Sequence, residues 1–114
     1  SIFIRTKMRL SRPTDFLILD ALSDGERDTA ANLAKRIDRD RGYINAQLPK
    51  LADQGLVKKI GPYDNSGLYQ ITSLGVAAIQ KQFLYDENQA EFETAISELA
   101  EQVEIERPSI IINA

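Results

Sequence analysis

The sequence contains no cysteine, no histidine and no tryptophan. Without cysteine and histidine, the chain cannot form disulfides, Cys/His zinc sites or thiol nucleophiles, and it has no imidazole for acid–base catalysis. Catalysis would need clustered carboxylates, but the acids at Glu91, Glu98, Glu101 and Glu104 have the spacing of a solvated helix face. We therefore expect no enzyme, no metal and no cofactor, and a reducing cytoplasm suits the composition. No ligand-like spacing indicates a small-molecule effector, and whether one exists is left open.

Long hydrophobic runs are lacking as well. The apolar opening at residues 2–4 is shorter than the roughly 7 to 15 residues of a signal-peptide core, and no run reaches the roughly 20 that cross a bilayer. The 114 residues are 43% hydrophobic and 27% charged, which is typical of one ordinary globular domain. We expect a cytoplasmic protein with no membrane partner.

Charge is divided unevenly along the chain, although the net charge is only -3. Residues 1–80 hold twelve Lys and Arg against nine acids, a net charge of +3. Residues 81–114 hold two basic residues against eight acids, a net charge of -6. This asymmetry fits a nucleic-acid-facing region followed by an acidic segment, although a solvated acidic helix behind an ordinary domain would give the same pattern.

Apolar spacing and capping residues predict three short helices in the first half. The first begins near Pro13, the second is capped by Thr29 and ends near Asp38, and the third covers about 41–54 with Asp40 as its cap. The turn between the second and third helices is only three residues long. This spacing is that of a helix-turn-helix unit.

The second half is predicted to start with a β-hairpin, followed by two helices. Strands at 56–60 and 68–71 flank a segment rich in turn-forming residues. Thr72 or Ser73 caps a fourth helix that continues toward Phe83, and a long amphipathic helix follows. The predicted organisation is an N-terminal arm (1–12), a winged helix-turn-helix domain (13–84), a C-terminal helix (85–107) and a tail (108–114).

The fold class is therefore mainly α with a small β-hairpin, in the order of a winged helix-turn-helix plus a long C-terminal helix. In that arrangement the second helix of the helix-turn-helix enters the major groove, and the hairpin contacts the flanking DNA backbone. The sequence thus predicts a partner, double-stranded DNA.

The third helix has an outward face of the kind that DNA recognition needs. Asn45 could bind adenine through two hydrogen bonds, Arg41 could meet guanine or phosphate, and Tyr43 and Lys50 could reach phosphates. Gly42 and Ala46 would let the backbone approach the groove closely, and Gln47, on the flank, is a further candidate DNA contact. Since proline lacks the backbone donor of a helix interior, we expect a bend or an early helix end near Pro49.

The hairpin adds further candidate DNA contacts. Lys58 and Lys59 lie on its first strand, and Tyr63 and Asn65 lie near its tip. Contacts between such cations and phosphates release counterions, so binding should weaken steeply with added salt.

The C-terminal helix carries an apolar stripe formed by Phe92, Ile96, Leu99 and Val103. The stripe could pack on its own domain or pair with the same helix of a second chain. We favour the homodimer, because a domain of this size already has enough core and the polar faces of this helix are strongly acidic. The pairing is consistent with two recognition helices that face half-sites about one DNA turn apart.

One segment also resembles a known group of regulators. In RGYINAQLPKLADQGLVKKIGPYDNSGLYQITSLG, residues 41–75, a tyrosine follows Arg-Gly, and Leu-Pro-x-Leu, Gly-Leu-Val and Ser-Gly-Leu-Tyr-x-Ile-Thr come before a glycine. This pattern resembles winged-helix regulators similar to the repressor of the haloarchaeal phage phi-H, over roughly residues 13–80. The resemblance implies a repressor-like transcription regulator in a high-salt cytoplasm, where base contacts and DNA shape would have to replace much of the screened phosphate attraction.

An alternative function shares the same fold. A winged-helix module of a transcription assembly could bind another protein without touching DNA. Such a module would lack a basic surface around the third helix, so clustering of Arg41, Lys50, Lys58 and Lys59 would favour DNA.

Overall fold

The computed structural model describes residues 8–61 and 67–103 of the chain. These residues are mostly helical and include a small antiparallel sheet, which confirms the predicted mainly α composition. The elements are α1 (Thr14–Ala21), β1 (Asp28–Thr29), α2 (Ala30–Ile37), α3 (Arg41–Asp53), β2 (Val57–Ile60), β3 (Leu68–Ile71), α4 (Ser73–Gln80), α5 (Phe83–Glu87) and α6 (Gln89–Ala100).

Side-chain caps start three helices at the predicted residues. Thr29 accepts a hydrogen bond from the Asn32 N–H at 3.2 Å, and Asp40 accepts one from the Tyr43 N–H at 2.9 Å. At the start of α4, Thr72 accepts from the Gly75 N–H at 3.1 Å. These caps satisfy backbone donors that have no partner inside the helix, so they fix where α2, α3 and α4 begin.

The sheet has three strands in the order β1-β3-β2, whereas the sequence predicted a two-stranded hairpin. Asp28 and Thr29 pair antiparallel with Tyr69 and Leu68. A strand of two residues is too short to show an alternating apolar pattern, so the prediction recognised Thr29 only as a helix cap. The extra strand ties the start of α2 to the hairpin.

One hydrophobic core joins the helices and the sheet. Its fully buried members include Leu22 of the segment after α1, Leu33 of α2, Ile44 of α3 and Ile71 of β3. Phe92 of α6 belongs to the same core and makes edge-to-face ring contacts with Phe16 and Tyr85. The C-terminal helix is therefore part of the folded unit that also holds α3.

The C-terminal half differs from the prediction in its helix boundaries. The fourth helix ends at Gln80 rather than near Phe83, and the short α5 follows as a separate element. Asn88 then caps α6 by accepting a hydrogen bond from the Glu91 N–H at 3.1 Å. Because of this cap α6 begins at Gln89 rather than at residue 85. The helix ends at Ala100 rather than at residue 107, and residues 104–114 lie outside the described part.

Residues 8–10 of the predicted N-terminal arm pack against the domain. The Met8 N–H donates to Glu93 at 3.0 Å, and the Leu10 N–H donates to the Tyr85 hydroxyl at 2.9 Å. Leu10 is buried in the core. These three residues thus join the C-terminal helices to the rest of the domain, and residues 1–7 lie outside the described part.

Candidate nucleic-acid interface

Helix α3 has one buried face and one exposed face. Ile44, Gln47, Leu48 and Leu51 are buried, with the three-and-four spacing of one helix side. At 100° per residue, four residues lie along the opposite side. All four are exposed, so the described chain does not cover the side that would meet a partner; they are Gly42, Ala46, Pro49 and Asp53.

Six predicted DNA-contact residues on α3 are exposed. Asn45 lies on one side of the row formed by Gly42, Ala46 and Pro49, while Tyr43 and Lys50 lie on the other side. In the described part of the chain, two large hydrophobic side chains are exposed, and Tyr43 is one of them, at 40%. The exposed predicted contacts on this helix are Arg41, Gly42, Tyr43, Asn45, Ala46 and Lys50.

Gln47 does not belong to this exposed set. It is only 7% exposed, and its Nε2 donates to Asp15 Oδ1 of α1 at 2.9 Å. A side chain that lies in the interface between two helices cannot reach a base edge from there. The prediction that Gln47 contacts DNA is therefore wrong for this structure.

The turn between α2 and α3 is short and held by hydrogen bonds. Asp38 ends α2 in the left-handed conformation, at φ 56°. The Arg39 N–H donates to the Ala34 carbonyl at 2.9 Å, and the Arg39 guanidinium donates to the carbonyls of Ile37 and Asp38. Satisfied carbonyls at the end of α2 fix the direction in which the chain enters α3.

Pro49 does not end α3. The helix continues to Asp53, and Gly55 follows in the left-handed conformation, at φ 82°, which is common for a glycine just after a helix. Of the two outcomes expected near Pro49, a bend or an early helix end, the early end is therefore wrong, and the bend stays a prediction. Pro49 lies on the exposed side of α3, where a helix carbonyl that lacks its N–H donor can hydrogen-bond to water instead.

The two lysines of the hairpin lie on opposite faces of the sheet. Lys59 pairs with Tyr69 and shares a face with the buried Val57, whereas Lys58 pairs with Gln70 on the other face. Both lysines are exposed on the edge strand β2. A duplex lying against one face of the sheet would contact only one of them, and the predicted contacts Tyr63 and Asn65 fall outside the described residues.

Two of the basic residues in the first half are engaged in ion pairs. Arg36 lies 2.6 Å from Asp28 and also donates to the Ala21 carbonyl at 2.8 Å, so it joins β1 to the end of α1. Arg12 lies 3.2 Å from Asp86 of α5. The positive charge available to a partner is therefore smaller than the number of Lys and Arg residues in this half suggests.

Burial and hydrogen bonding act in opposite directions on the Asp28 carboxyl. Burial alone would raise its pKa, because a charged group loses hydration. The Arg36 guanidinium, the Thr29 N–H and the Asn32 side chain donate to the carboxylate, and together they lower the pKa of Asp28 below its ordinary value of 3.8. Asp28 is therefore held as an anion at neutral pH.

The predicted dimerisation stripe is divided by the fold. Phe92 and Ile96 are fully buried in their own chain's core, so these two side chains are not available to a second chain. Leu99 and Val103, nearer the end of the described residues, are only half-buried. The prediction of a homodimer through all four residues therefore needs revision, and Leu99 and Val103 are its remaining candidates.

Two other kinds of site are absent from the described ranges. No helix there combines the length and the apolar character needed to span a bilayer. Within the same ranges, no three acidic side chains come together in a group that could hold a metal ion.

Asp15 and Arg36 carry no sequence signal that points to their roles. An acid in the first turn of a helix is commonly explained by the helix dipole, and Arg36 resembles any surface cation. Gln47, the partner of Asp15, lies 32 residues away in the sequence, and Asp28 precedes Arg36 by eight. Only the tertiary structure reveals the two pairs.

No protein-family model, curated protein or solved structure matches the chain significantly. The case for a function therefore depends on the residues themselves and on the geometry around α3.

Proposed function

We propose that the chain is a sequence-specific double-stranded DNA-binding protein of the winged helix-turn-helix type, acting as a repressor-like transcription regulator. In this proposal α3 enters the major groove, and the β2–β3 hairpin contacts the flanking backbone. The observation that carries the proposal is the exposed side of α3, which presents small residues along its middle and polar side chains on both flanks.

The order of elements supports this proposal. Three helices precede the hairpin, a three-residue turn separates α2 from α3, and β1 adds a third strand beside the hairpin. This order is typical of a helix-turn-helix followed by a wing, in which α2 supports the recognition helix.

Each exposed residue type on α3 has a role in the proposal. Gly42 and Ala46 leave room for the helix backbone near the floor of the groove. Asn45 hydrogen-bonds a base edge, adenine being the best match for its amide, while Lys50 and Tyr43 bind phosphates on one flank. Arg41, at the start of the helix, reaches guanine or the backbone.

The proposal extends to assembly and compartment. A homodimer would present two copies of α3 to half-sites about one helical turn apart, with Leu99 and Val103 as the apolar residues left for pairing. A cytoplasmic regulator of a haloarchaeal type, as the resemblance implies, would bind at high salt and would depend on base contacts more than on phosphate attraction.

Selection of bound duplexes from a random pool tests the proposal directly. The wild-type chain should enrich a shared sequence. Asn45→Ala should relax the preference at one or two positions and cost about 1 to 3 kcal/mol of binding free energy, because a base contact is lost. Lys50→Ala should weaken binding to all sequences alike and reduce the slope of log affinity against log salt by about 1.

Lys35→Ala is the matched control for Lys50, since Lys35 is an exposed lysine in the last turn of α2. It should change affinity and salt slope less than Lys50→Ala does. Failure of the wild-type chain to retain any duplex above background, at low salt as well as high, would overturn the proposed function.

A protein partner is the second candidate, and the acids beside α3 favour it. Asp38 and Asp40 precede the helix and Asp53 lies on its exposed side, and each of them would repel phosphates. Asp40 caps α3, which gives it a structural role, whereas Asp38 and Asp53 have no side-chain cap role at this helix. If Asp53→Asn leaves duplex affinity unchanged or lowers it, the DNA proposal loses support.

A further inference from the structure

A buried polar pair connects the proposed recognition helix to the helix beneath it. We infer that Asp15 and Gln47 position α3 for DNA binding, because their hydrogen bond fixes the rotation of α3 about its axis and its position relative to α1. This inference rests on the proposed function and assigns to Gln47 a positioning role in place of a base contact.

The pair is isolated from water at the centre of the helix interface. Asp15 is 1% exposed and Gln47 is 7% exposed. Gln47 Nε2 donates to Asp15 Oδ1 at 2.9 Å, and the other carboxylate oxygen, Oδ2, accepts from the Ser11 N–H at 2.7 Å. The Asp15 carboxylate thus accepts one hydrogen bond from Ser11, just before α1, and one from Gln47 in the middle of α3.

No other hydrogen bond between side chains joins two helices in the described part of the chain. Arg36 joins α2 to β1, and the Arg12–Asp86 ion pair joins the segment before α1 to α5. The rest of the buried side of α3 is aliphatic. Aliphatic contacts tolerate small sliding and rotation, whereas a buried hydrogen bond is satisfied in only a narrow range of positions.

The position of a recognition helix matters because hydrogen bonds to base edges require distances and angles as narrow as those of the Asp15–Gln47 hydrogen bond. Gln47 is two residues from Asn45 and one from Ala46, so a rotation of α3 that broke the pair would also turn both residues away from the groove. Burying a carboxylate is costly unless it is paired, so the pair adds specificity of structure more than it adds stability.

Variants at the two positions separate positioning from stability. Gln47→Leu keeps the approximate size and the net charge but removes the donor, and we expect duplex affinity to fall about tenfold, comparable to the loss of one base contact. The double variant Asp15→Asn/Gln47→Glu reverses the direction of the hydrogen bond. Its asparagine amide would donate to the new carboxylate, and its amide oxygen would still accept from the Ser11 N–H. That exchange keeps the net charge, and we expect it to bind DNA as the wild-type chain does, within about threefold.

A double apolar variant guards against poor folding of Gln47→Leu, which leaves the buried Asp15 Oδ1 without its donor. Asp15→Leu/Gln47→Leu removes both polar groups, and water can replace Asp15 as the acceptor for the exposed Ser11. Its melting temperature should therefore stay near or above that of the wild-type chain. Its duplex affinity should nevertheless fall about tenfold, as with Gln47→Leu. Binding is measured by fluorescence anisotropy at a temperature where circular dichroism shows every variant folded.

Two results would overturn the positioning role. One is a folded apolar variant that binds a selected duplex as tightly as the wild-type chain. The other is an exchanged pair that binds as weakly as Gln47→Leu. If the wild-type chain itself binds no duplex, the proposed function fails first, so the two failures cannot be confused.

Discussion

Asp28 and Arg36 show at the scale of single residues how charge is used inside this fold. Their ion pair joins β1 to the last turn of α2, and Arg36 also donates to the Ala21 carbonyl at the end of α1. Asp28 itself is only 7% exposed. A buried carboxylate of this kind depends on its donors, since without them its charge is poorly solvated.

The lowered pKa of Asp28 predicts a stability that depends on pH in a known direction. A carboxyl whose pKa is lower in the folded chain stabilises the fold above the unfolded value, near 3.8, and this contribution is lost as pH falls through the folded pKa. Arg36→Met removes the main donor and should cost about 1 to 3 kcal/mol at pH 7. Urea unfolding at several pH values between 3 and 7 measures the effect.

The difference between the wild-type chain and Arg36→Met should shrink as the pH falls from 7 toward 3, because Asp28 becomes protonated first in the variant and then in the wild-type chain. Arg39→Met is the matched control, since Arg39 is exposed and its guanidinium contacts carbonyls of its own turn. A difference that stays constant across the whole pH range would contradict this account of Asp28.

At the scale of elements, α3 contains an internal proline at an exposed position. Pro49 removes the N–H that would donate to the Asn45 carbonyl four residues earlier. Pro49→Ala should therefore raise the free energy of unfolding, by about 1 to 3 kcal/mol. Urea unfolding tests this, and an unchanged or lower stability would show that the local helix geometry has already compensated for the proline.

The exposed side of α3 must remain clear for the proposed interaction. Ala46→Leu places a bulky side chain at an exposed position, so stability should change by no more than about 0.5 kcal/mol. Duplex affinity should fall at least about tenfold, because the helix backbone could no longer approach the groove. Ala90→Leu, at an exposed alanine of α6, is the control and should bind DNA as the wild-type chain does.

Elements with side-chain caps were the easiest to predict from the sequence. Thr29, Asp40 and Thr72 cap their helices as expected, because a cap acts through residues within one helical turn. β1 was missed because two residues show no periodicity. The long final helix was extended too far, since Asn88 was only one of several polar residues that could have started it.

The candidate site was predictable in part for the same physical reason. Helical periodicity alone separates the buried Ile44 and Leu48 from the exposed Asn45 and Lys50. The same spacing puts Gln47 on the buried side, but its polar side chain led the prediction to place it on the flank, and its partner is 32 residues away. A hydrogen bond between two helices that are distant in the sequence depends on the tertiary structure, and local spacing does not predict it.

At the scale of the whole molecule, α6 serves its own chain first. Phe92 and Ile96 fill the core beside α4, so the acidic C-terminal helix is not simply an added dimerisation arm. Sequence periodicity could not distinguish these two uses of the stripe, because an apolar face packs equally well on its own domain or on a second chain.

The remaining part of the stripe predicts how the molecule assembles. If Leu99 and Val103 pair two chains, sedimentation equilibrium should give twice the chain mass of 12.8 kDa, and Val103→Asp should reduce the mass to that of one chain. Glu98→Gln, at an exposed position of α6, should leave the mass unchanged. A wild-type mass of 12.8 kDa at every concentration would contradict the dimer without touching the role of α3.

The most direct test of the central claim follows backbone amide signals of the ¹⁵N-labelled chain by NMR while duplex DNA is added at low salt. If the exposed side of α3 enters the groove, the largest shifts should come from the amides of residues 41–50, including Gly42 and Ala46, with smaller shifts in β2. Shifts concentrated on α6, or no shifts at all while the duplex is in excess, would contradict the claim that α3 is the surface that meets DNA.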